Sequence, residues 1–238
     1  MPYSYGYSPY FYWDWTLLIL LPGLLLGLIA QASVQSAFRR YSRMFSRSGL
    51  TGAEAARRIL AQNGIYDVQV TRVSGNLTDY YDPRNRVLRL SDNVYDSTSL
   101  AALGVAAHEC GHACQHNTSY VPLTIRNAMA PVVSFGSNAV FPILLLGIFV
   151  SSQTLLNIAI LLYLFVVLFQ LVTLPVEFNA SHRALVTLEE GAYLAGDEVP
   201  CARKVLRAAA LTYVAAALSS MLQLLRLFLL YGNRNRRD

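Results

Sequence analysis

Apolar and polar positions along this chain fall into blocks rather than mixing. Nearly unbroken apolar runs cover about Trp15 to Ala32, Val132 to Ser151, Leu155 to Leu174 and Leu211 to Leu230. About 20 apolar residues in a helix cross the ~30 Å hydrocarbon layer, so each run is a candidate span. A polar turn at Ser152, Gln153 and Thr154 makes the second and third runs a hairpin. The fourth carries Gln223 and Arg226, and is expected either to span or to lie tilted at the surface.

Between the first and second runs the pattern changes period. Thr51 to Asn63 has helical spacing, with Thr51 and Glu54 placed for a capping box and Asn63-Gly64 as its end. Val68 to Val73 and Arg86 to Leu90 alternate apolar and polar positions as strands do, with turn chemistry at Asp82-Pro83-Arg84-Asn85. Leu77 to Tyr81 is expected to complete a small sheet, and the Arg86 to Leu90 strand to offer an open edge to an extended peptide. After the cap cluster Ser97-Thr98-Ser99 comes an alanine-rich helix from Leu100 to about Gln115.

The pattern divides the chain into an aromatic-rich tail (1–14), a membrane anchor (15–35) and a polar segment with sheet and central helix (36–131). A transmembrane hairpin (132–174), a second polar helical segment (175–210) and a terminal transmembrane or interfacial helix with a basic tail (211–238) follow. The fold class expected is an α+β membrane protein, mostly α, with three to four transmembrane helices.

Composition agrees with the spans. Hydrophobic residues make up 54% and charged residues 14% of 238 positions, well below the quarter charged of a soluble domain. Mean hydropathy is +0.37. The net charge of +5 lies in arginines beside the apolar runs, which is topology control rather than a nucleic-acid surface, and no nucleic-acid-binding motif accompanies it.

Tyr3, Tyr5, Tyr7, Tyr10, Tyr12, Trp13 and Trp15 precede the first run without a Lys or Arg, and Arg39, Arg40, Arg43 and Arg47 follow it. The positive-inside rule puts the amino terminus outside and the polar segments in the cytoplasm. Ala30-Gln31-Ala32 resembles a signal cleavage site, but the basic n-region is missing, so an uncleaved anchor is expected. A hairpin returns the chain to its starting side, so residues 36–131 and 175–210 share one compartment. Arg234, Arg236 and Arg237 would then lie outside, against the rule, while Arg183, Arg203, Lys204 and Arg207 favour the near side. Gly23 and Gly27 form a GxxxG pair suited to packing within the chain or to self-association.

Cys110, Cys114 and Cys201 make no disulfide framework, and the first two read as small core residues. The chemistry lies between and around them, in His108-Glu109-Cys110-Gly111-His112. Residues four apart share a helix face, so two imidazoles converge on one ion. A catalytic zinc takes three protein ligands and keeps an open position, and the glutamate of such a motif is the general base. His108 and His112 are therefore the expected zinc ligands and Glu109 the base. His116 extends the series but lies about 12 Å along the axis from His108, at ~1.5 Å per residue, and reads as a helix-end histidine.

The third ligand must come from the shared compartment. The candidates are Glu177, Glu189, Glu190, Asp197 and Glu198. Glu189 and Glu190 look like a solvated helix end, and Asp197 and Glu198 fit the start of the last helix. Glu177 emerges from the third run, at what reads as a helix start with Pro175 in its first turn. Ala180, Ser181 and Ala184 leave room for another helix on its face. The competing role for Glu177 is an interfacial carboxylate paired with Arg183 or Arg126.

These residues carry a resemblance. The HECGH helix, the upstream GNLTDYYDP and RVLRLS, the LPVEFNASHRAL segment and the terminal AAALTYVAAALSSMLQLLR resemble the bacterial YugP-like membrane zinc metallopeptidases from Arg39 onward. More distantly, the chain is similar to the HtpX and CAAX-prenyl-protease group of HExxH peptidases. That resemblance implies a zincin-like, gluzincin-type unit with Glu177 as third zinc ligand. An aspartate that supports a zinc histidine in the wider group is replaced here by Ser181, and neighbouring His182 is a candidate transition-state stabiliser by proximity alone. The function expected is an integral-membrane zinc metalloendopeptidase acting on peptide or membrane-protein substrates, with the lipid bilayer as its medium. The alternative is a non-catalytic zinc-stabilised membrane scaffold or adaptor.

Overall fold

The computed structural model describes residues 14–232; the aromatic stretch up to Trp13 and the arginines Arg234, Arg236 and Arg237 lie outside the described residues. A 3-10 segment, Trp15–Leu20, leads into α1 (Leu21–Tyr41). There follow α2 (Gly52–Gln62), β1 (Gln69–Val73), β2 (Tyr80–Asp82), β3 (Val87–Ser91), the short α3 (Asp92–Tyr95) and α4 (Leu100–Asn117). Three long helices complete the chain: α5 (Val121–Phe149), α6 (Gln153–Glu190) and α7 (Val199–Tyr231). The protein is mostly helical with one small sheet.

Four helical segments are long and apolar enough to cross a membrane: Trp15–Tyr41, α5, α6 and α7. Their outer faces expose large apolar side chains, among them Leu25, Leu28, Phe141, Phe165 and Phe228. Contiguous apolar surface on this scale suits lipid rather than water as solvent. α6 runs unbroken past Pro175, where the sequence suggested a new helix start. Proline is tolerated in a membrane helix because neighbouring helices and local adjustments satisfy the freed backbone groups.

Polar contacts fix how the long helices lie. The Arg226 guanidinium near the end of α7 reaches the Asp14 carboxylate (2.6 Å), and its Nε donates to Thr16 Oγ1 (3.1 Å). The Gln153 amide at the start of α6 donates to the Tyr231 carbonyl (2.9 Å). The start of the first span, the α5–α6 turn and the end of α7 therefore share one end of the bundle. α7 runs antiparallel to α1 along its length, so it traverses the bundle rather than lying across it. Gly23 of α1 meets α7 so closely that an added Cβ would stand 2.7 Å from Ser219 Oγ, whereas a Cβ at Gly27 would meet nothing within 4 Å. Half of the GxxxG pair is thus used inside the chain.

The other end carries the polar unit. Thr51 caps α2 with the reciprocal capping box expected of Thr51 and Glu54. α2, α3, the sheet and the first turns of α7 surround α4, whose alanines and Leu103 are almost wholly buried. β3 is the central strand, parallel to β1 and antiparallel to β2. This overturns the open edge assigned to the Arg86 to Leu90 strand: β1 pairs with one side and β2 with the other, which satisfies the backbone groups of a strand whose Leu88 and Leu90 are wholly buried. The free edge beside α4 belongs to β2.

Glu198, at the start of α7, accepts from Ala195 N (2.9 Å) and from Arg47 N (3.0 Å). It thereby ties the segment after α1 to the segment after α6. Single cysteines at Ser152 and Gly232, in a chain lacking native cysteines, are expected to react alike with a membrane-impermeant thiol reagent. A cysteine at Asn63 should show the opposite access, as labelling of intact and opened cells would reveal.

Candidate metal centre

α4 starts at Ser99, whose hydroxyl accepts from Ala102 N (3.2 Å). The helix runs two turns through alanine and leucine before it reaches His108. Burial on every side orients it, and the imidazoles of His108 and His112 emerge on one face with centroids 4.8 Å apart.

Glu177 comes to them from α6. Its Oε2 lies 3.3 Å from His108 Nε2 and 3.6 Å from His112 Nε2. A ligand atom from each of the three residues falls within 4.8 Å of the others. Donors held at ~2.0–2.1 Å around a tetrahedral zinc stand roughly 3.3 Å apart, so these two separations suit a shared ion. Glu177 is 1% exposed, and its buried Oε2 has no hydrogen-bond partner. An uncompensated carboxylate oxygen aimed between two imidazole nitrogens is the chemistry of a divalent cation site.

The other ring nitrogens are engaged. His112 Nδ1 lies 3.1 Å from Gln115 Oε1. The Gln115 amide nitrogen donates to the Val176 carbonyl (2.8 Å) and to Asn179 Oδ1 (3.0 Å), which fixes Oε1 as the acceptor toward His112. His112 therefore carries its proton on Nδ1 and presents the Nε2 lone pair inward. His108 Nδ1 stands 3.2 Å from Ser181 Oγ, and the same assignment leaves its Nε2 free for metal. Such partners orient zinc-binding histidines and raise their basicity.

Backbone proximity makes this possible. A Cβ at Gly111 would stand 2.6 Å from the Ala180 carbonyl oxygen. The absence of a side chain between the two histidines lets α6 approach α4 closely enough for Glu177 and Ser181 to reach the imidazoles.

Glu109 and the three ligand candidates line a cavity of about 160 Å³, together with Asp79, Tyr81, Arg126 and Tyr213. Glu109 is 8% exposed, and burial pushes its carboxyl up from the usual range, although the two histidines act against that shift. Burial also raises Asp79, whose Oδ1 accepts from Ser91 N (2.7 Å) and so ties the β2 end of the cavity to β3. Arg126 Nη1 lies 3.6 Å from Glu177 Oε1. The two oxygens of Glu177 thus face different partners, one the imidazoles and the other an arginine. Arg183 instead donates to Asn179 Oδ1 (2.9 Å).

Other sequence candidates go elsewhere. His116 Nδ1 pairs with the Tyr81 hydroxyl (2.8 Å) and fastens β2 to α4. His182 is exposed and lines a different cavity. Glu189 and Glu190 sit exposed at the end of α6. Cys110 is buried beside the Ala56 carbonyl, and burial raises its thiol well above the ordinary range, which leaves it inert. Sequence reasoning missed Gln115, Asp79 and Tyr213. Gln115 had a signal, being an amide one turn past His112 in an apolar helix. Asp79 and Tyr213 had none, since only the tertiary fold brings them to the cavity.

The family described as "Putative neutral zinc metallopeptidase" matches residues 16–232. The chain is also 49% identical over 216 residues to the "Putative membrane protease YugP" of Bacillus subtilis (strain 168), a match covering 90% of this chain and 96% of that protein. No solved structure matches the chain.

Two substitutions probe this geometry. Gly111→Ala should destabilise the protein by about 1–3 kcal/mol through overpacking and cut zinc content in metal analysis. Ser181→Ala should weaken zinc binding by about 10–100-fold in chelator competition while leaving the melting temperature of the metal-free protein nearly unchanged. Ser181→Asp should retain zinc.

Proposed function

The chain belongs to the neutral zinc metallopeptidase family, and from that premise we propose that it hydrolyses peptide bonds at the membrane surface, with His108, His112 and Glu177 holding zinc and Glu109 as general base. The observation that carries this reading is the convergence of three ligand-capable side chains beside a buried glutamate that is not among them. A closed structural site would offer a fourth protein ligand and would need no base. This disfavours the zinc-stabilised scaffold.

Zinc held there supplies a Lewis acid that polarises the scissile carbonyl and acidifies water. The chain's residues do the rest. Glu109, with its carboxyl raised by burial, takes a proton from water and passes it to the leaving amine. Ser181 and Gln115 hold the imidazoles in the tautomer that leaves Nε2 free. Arg126 keeps Glu177 aligned and places positive charge beside the cavity, where an oxyanion would develop. The free edge of β2, with Tyr80 and Tyr81 at the cavity, is the place for an extended substrate backbone.

The arginines Arg39, Arg40 and Arg43 at the polar end of α1 support a cytoplasmic location for the catalytic segments, in a multi-pass protein of the cell membrane. We divide the chain accordingly into a gluzincin-type unit, built from 36–131 and 175–210, and the spans around it.

The test compares purified wild-type protein with Glu109→Gln for bound zinc and for cleavage of a peptide library. Zinc should be kept, and cleavage should fall by at least about 100-fold, the low end of what a general base contributes. Equal cleavage by both would refute the role of Glu109. Zinc without cleavage in either would favour the scaffold. In the wild type the carboxylate is the acting form, so cleavage should be lost as pH falls and Glu109 is protonated.

A further inference from the structure

A second cavity, about 430 Å³, opens between α6 and α7 on a face away from the zinc cavity. Phe178, His182 and Leu185 line it from α6, and Arg207, Leu211 and Val214 from α7. On each helix these residues recur at three- and four-residue spacing, so two stripes face one another across a mostly apolar groove.

Its depth follows from the spans. α6 starts at Gln153, beside the carbonyl of Tyr231 at the end of α7. Counting about 20 residues for the hydrocarbon from that end places the opposite boundary near residue 173 of α6 and near residue 211 of α7. Leu211 and Val214 lie at that boundary or on its apolar side. Arg207, Phe178 and His182 lie about 6, 8 and 14 Å beyond it at ~1.5 Å per residue, at headgroup level. Arg207 and His182 are exposed, and among the described residues neither makes an ion pair or a side-chain hydrogen bond. The groove is thus apolar toward the bilayer and cationic toward water.

We propose that this groove binds one phospholipid with an anionic headgroup, its phosphate at Arg207 and His182, its glycerol region against Phe178 and an acyl chain along Leu211 and Val214. The charge and the order of polarity match that molecule. A neutral amphiphile would leave Arg207 unused, and a soluble anion would leave the apolar wall unfilled. Ser181 stands at the wall of the groove and at His108 of the zinc site, so the lipid would lie one helix face away from the metal. The inference requires α6 and α7 to cross the bilayer and does not depend on peptidase activity.

Native mass spectrometry of the full chain in detergent, with phosphatidylglycerol or phosphatidylcholine added, tests it. The expected result is one phosphatidylglycerol per chain, retained in preference to phosphatidylcholine. Arg207→Gln should weaken retention about fivefold, the worth of one basic residue near an anionic surface. Ala210→Phe, which fills the groove from α7, should abolish the preference. Unchanged zinc content in both variants shows that the fold is intact.

Equal retention of the two lipids, or retention indifferent to both variants, overturns the proposal. So does competition by free glycerol phosphate as strong as that of the lipid, which would make the site one for soluble anions. An apolar peptide that displaces the lipid from wild type and Arg207→Gln alike would make the groove a polypeptide seat and equally overturn it. Each result is read by mass, separately from the cleavage assay.

Discussion

The contact between Gly111 and the backbone of Ala180 decides what the rest of the protein can do. Two imidazoles on one helix are part of the candidate metal site, and the carboxylate that faces them lies beyond a membrane hairpin. Reach is limited: a glutamate side chain extends only a few ångströms, so the two helix backbones must nearly touch. A side chain at position 111 would fill the space now occupied by the Ala180 carbonyl. Ala180 and Ala184 on the facing helix are fully buried for the same reason. Everything local to the site, including Ser181 against His108 and Gln115 against Val176, inherits its geometry from that approach.

That closeness needs support from polar bonds as well as from small residues, since tight packing alone leaves helices free to slide. Gln115 spans the gap with both groups of its amide, gripping the backbone of α6 with one and His112 with the other. Asn179 then joins Gln115 to Arg183. In a buried environment each such group is costly unless fully paired, so a satisfied network selects one register of α4 against α6. The register that satisfies it is the one that brings Glu177 to the histidines.

Much of the architecture was legible because the membrane simplifies the code. Apolar runs of span length, the capping box at Thr51 and Glu54, and the serine cap of α4 are local signals, and the helices form where those signals lie. The parity of the hairpin restricted the partners of His108 and His112 to a few acidic residues. What the sequence did not disclose is non-local. Strand order is one case: alternation identifies a strand but says nothing of which neighbour lies on each side, so the edge was assigned to β3 when it belongs to β2. The continuity of α6 through Pro175 is another, because helix propensity is measured in water and neighbouring helices override it. The path of α7 depended on Arg226 finding Asp14 and Thr16, residues more than 200 positions away. An arginine alone in an apolar run marks a partner without naming it.

Charge arithmetic explains why a metal belongs to this fold and not merely to this motif. Three carboxylates line the cavity, Glu109, Glu177 and Asp79, and among the described residues the arginine that lines it with them is Arg126. Arg126 approaches only the outer oxygen of Glu177, which leaves the inner oxygen facing the two imidazole nitrogens. Burying an ionised carboxylate without compensation costs several kcal/mol even after relaxation, more than most single contacts return. A divalent ion held between the three side chains would offset that cost and would leave Glu109 unligated. Such an ion would join α4 to α6 across the hairpin, and its binding would then be coupled to the packing of the membrane helices.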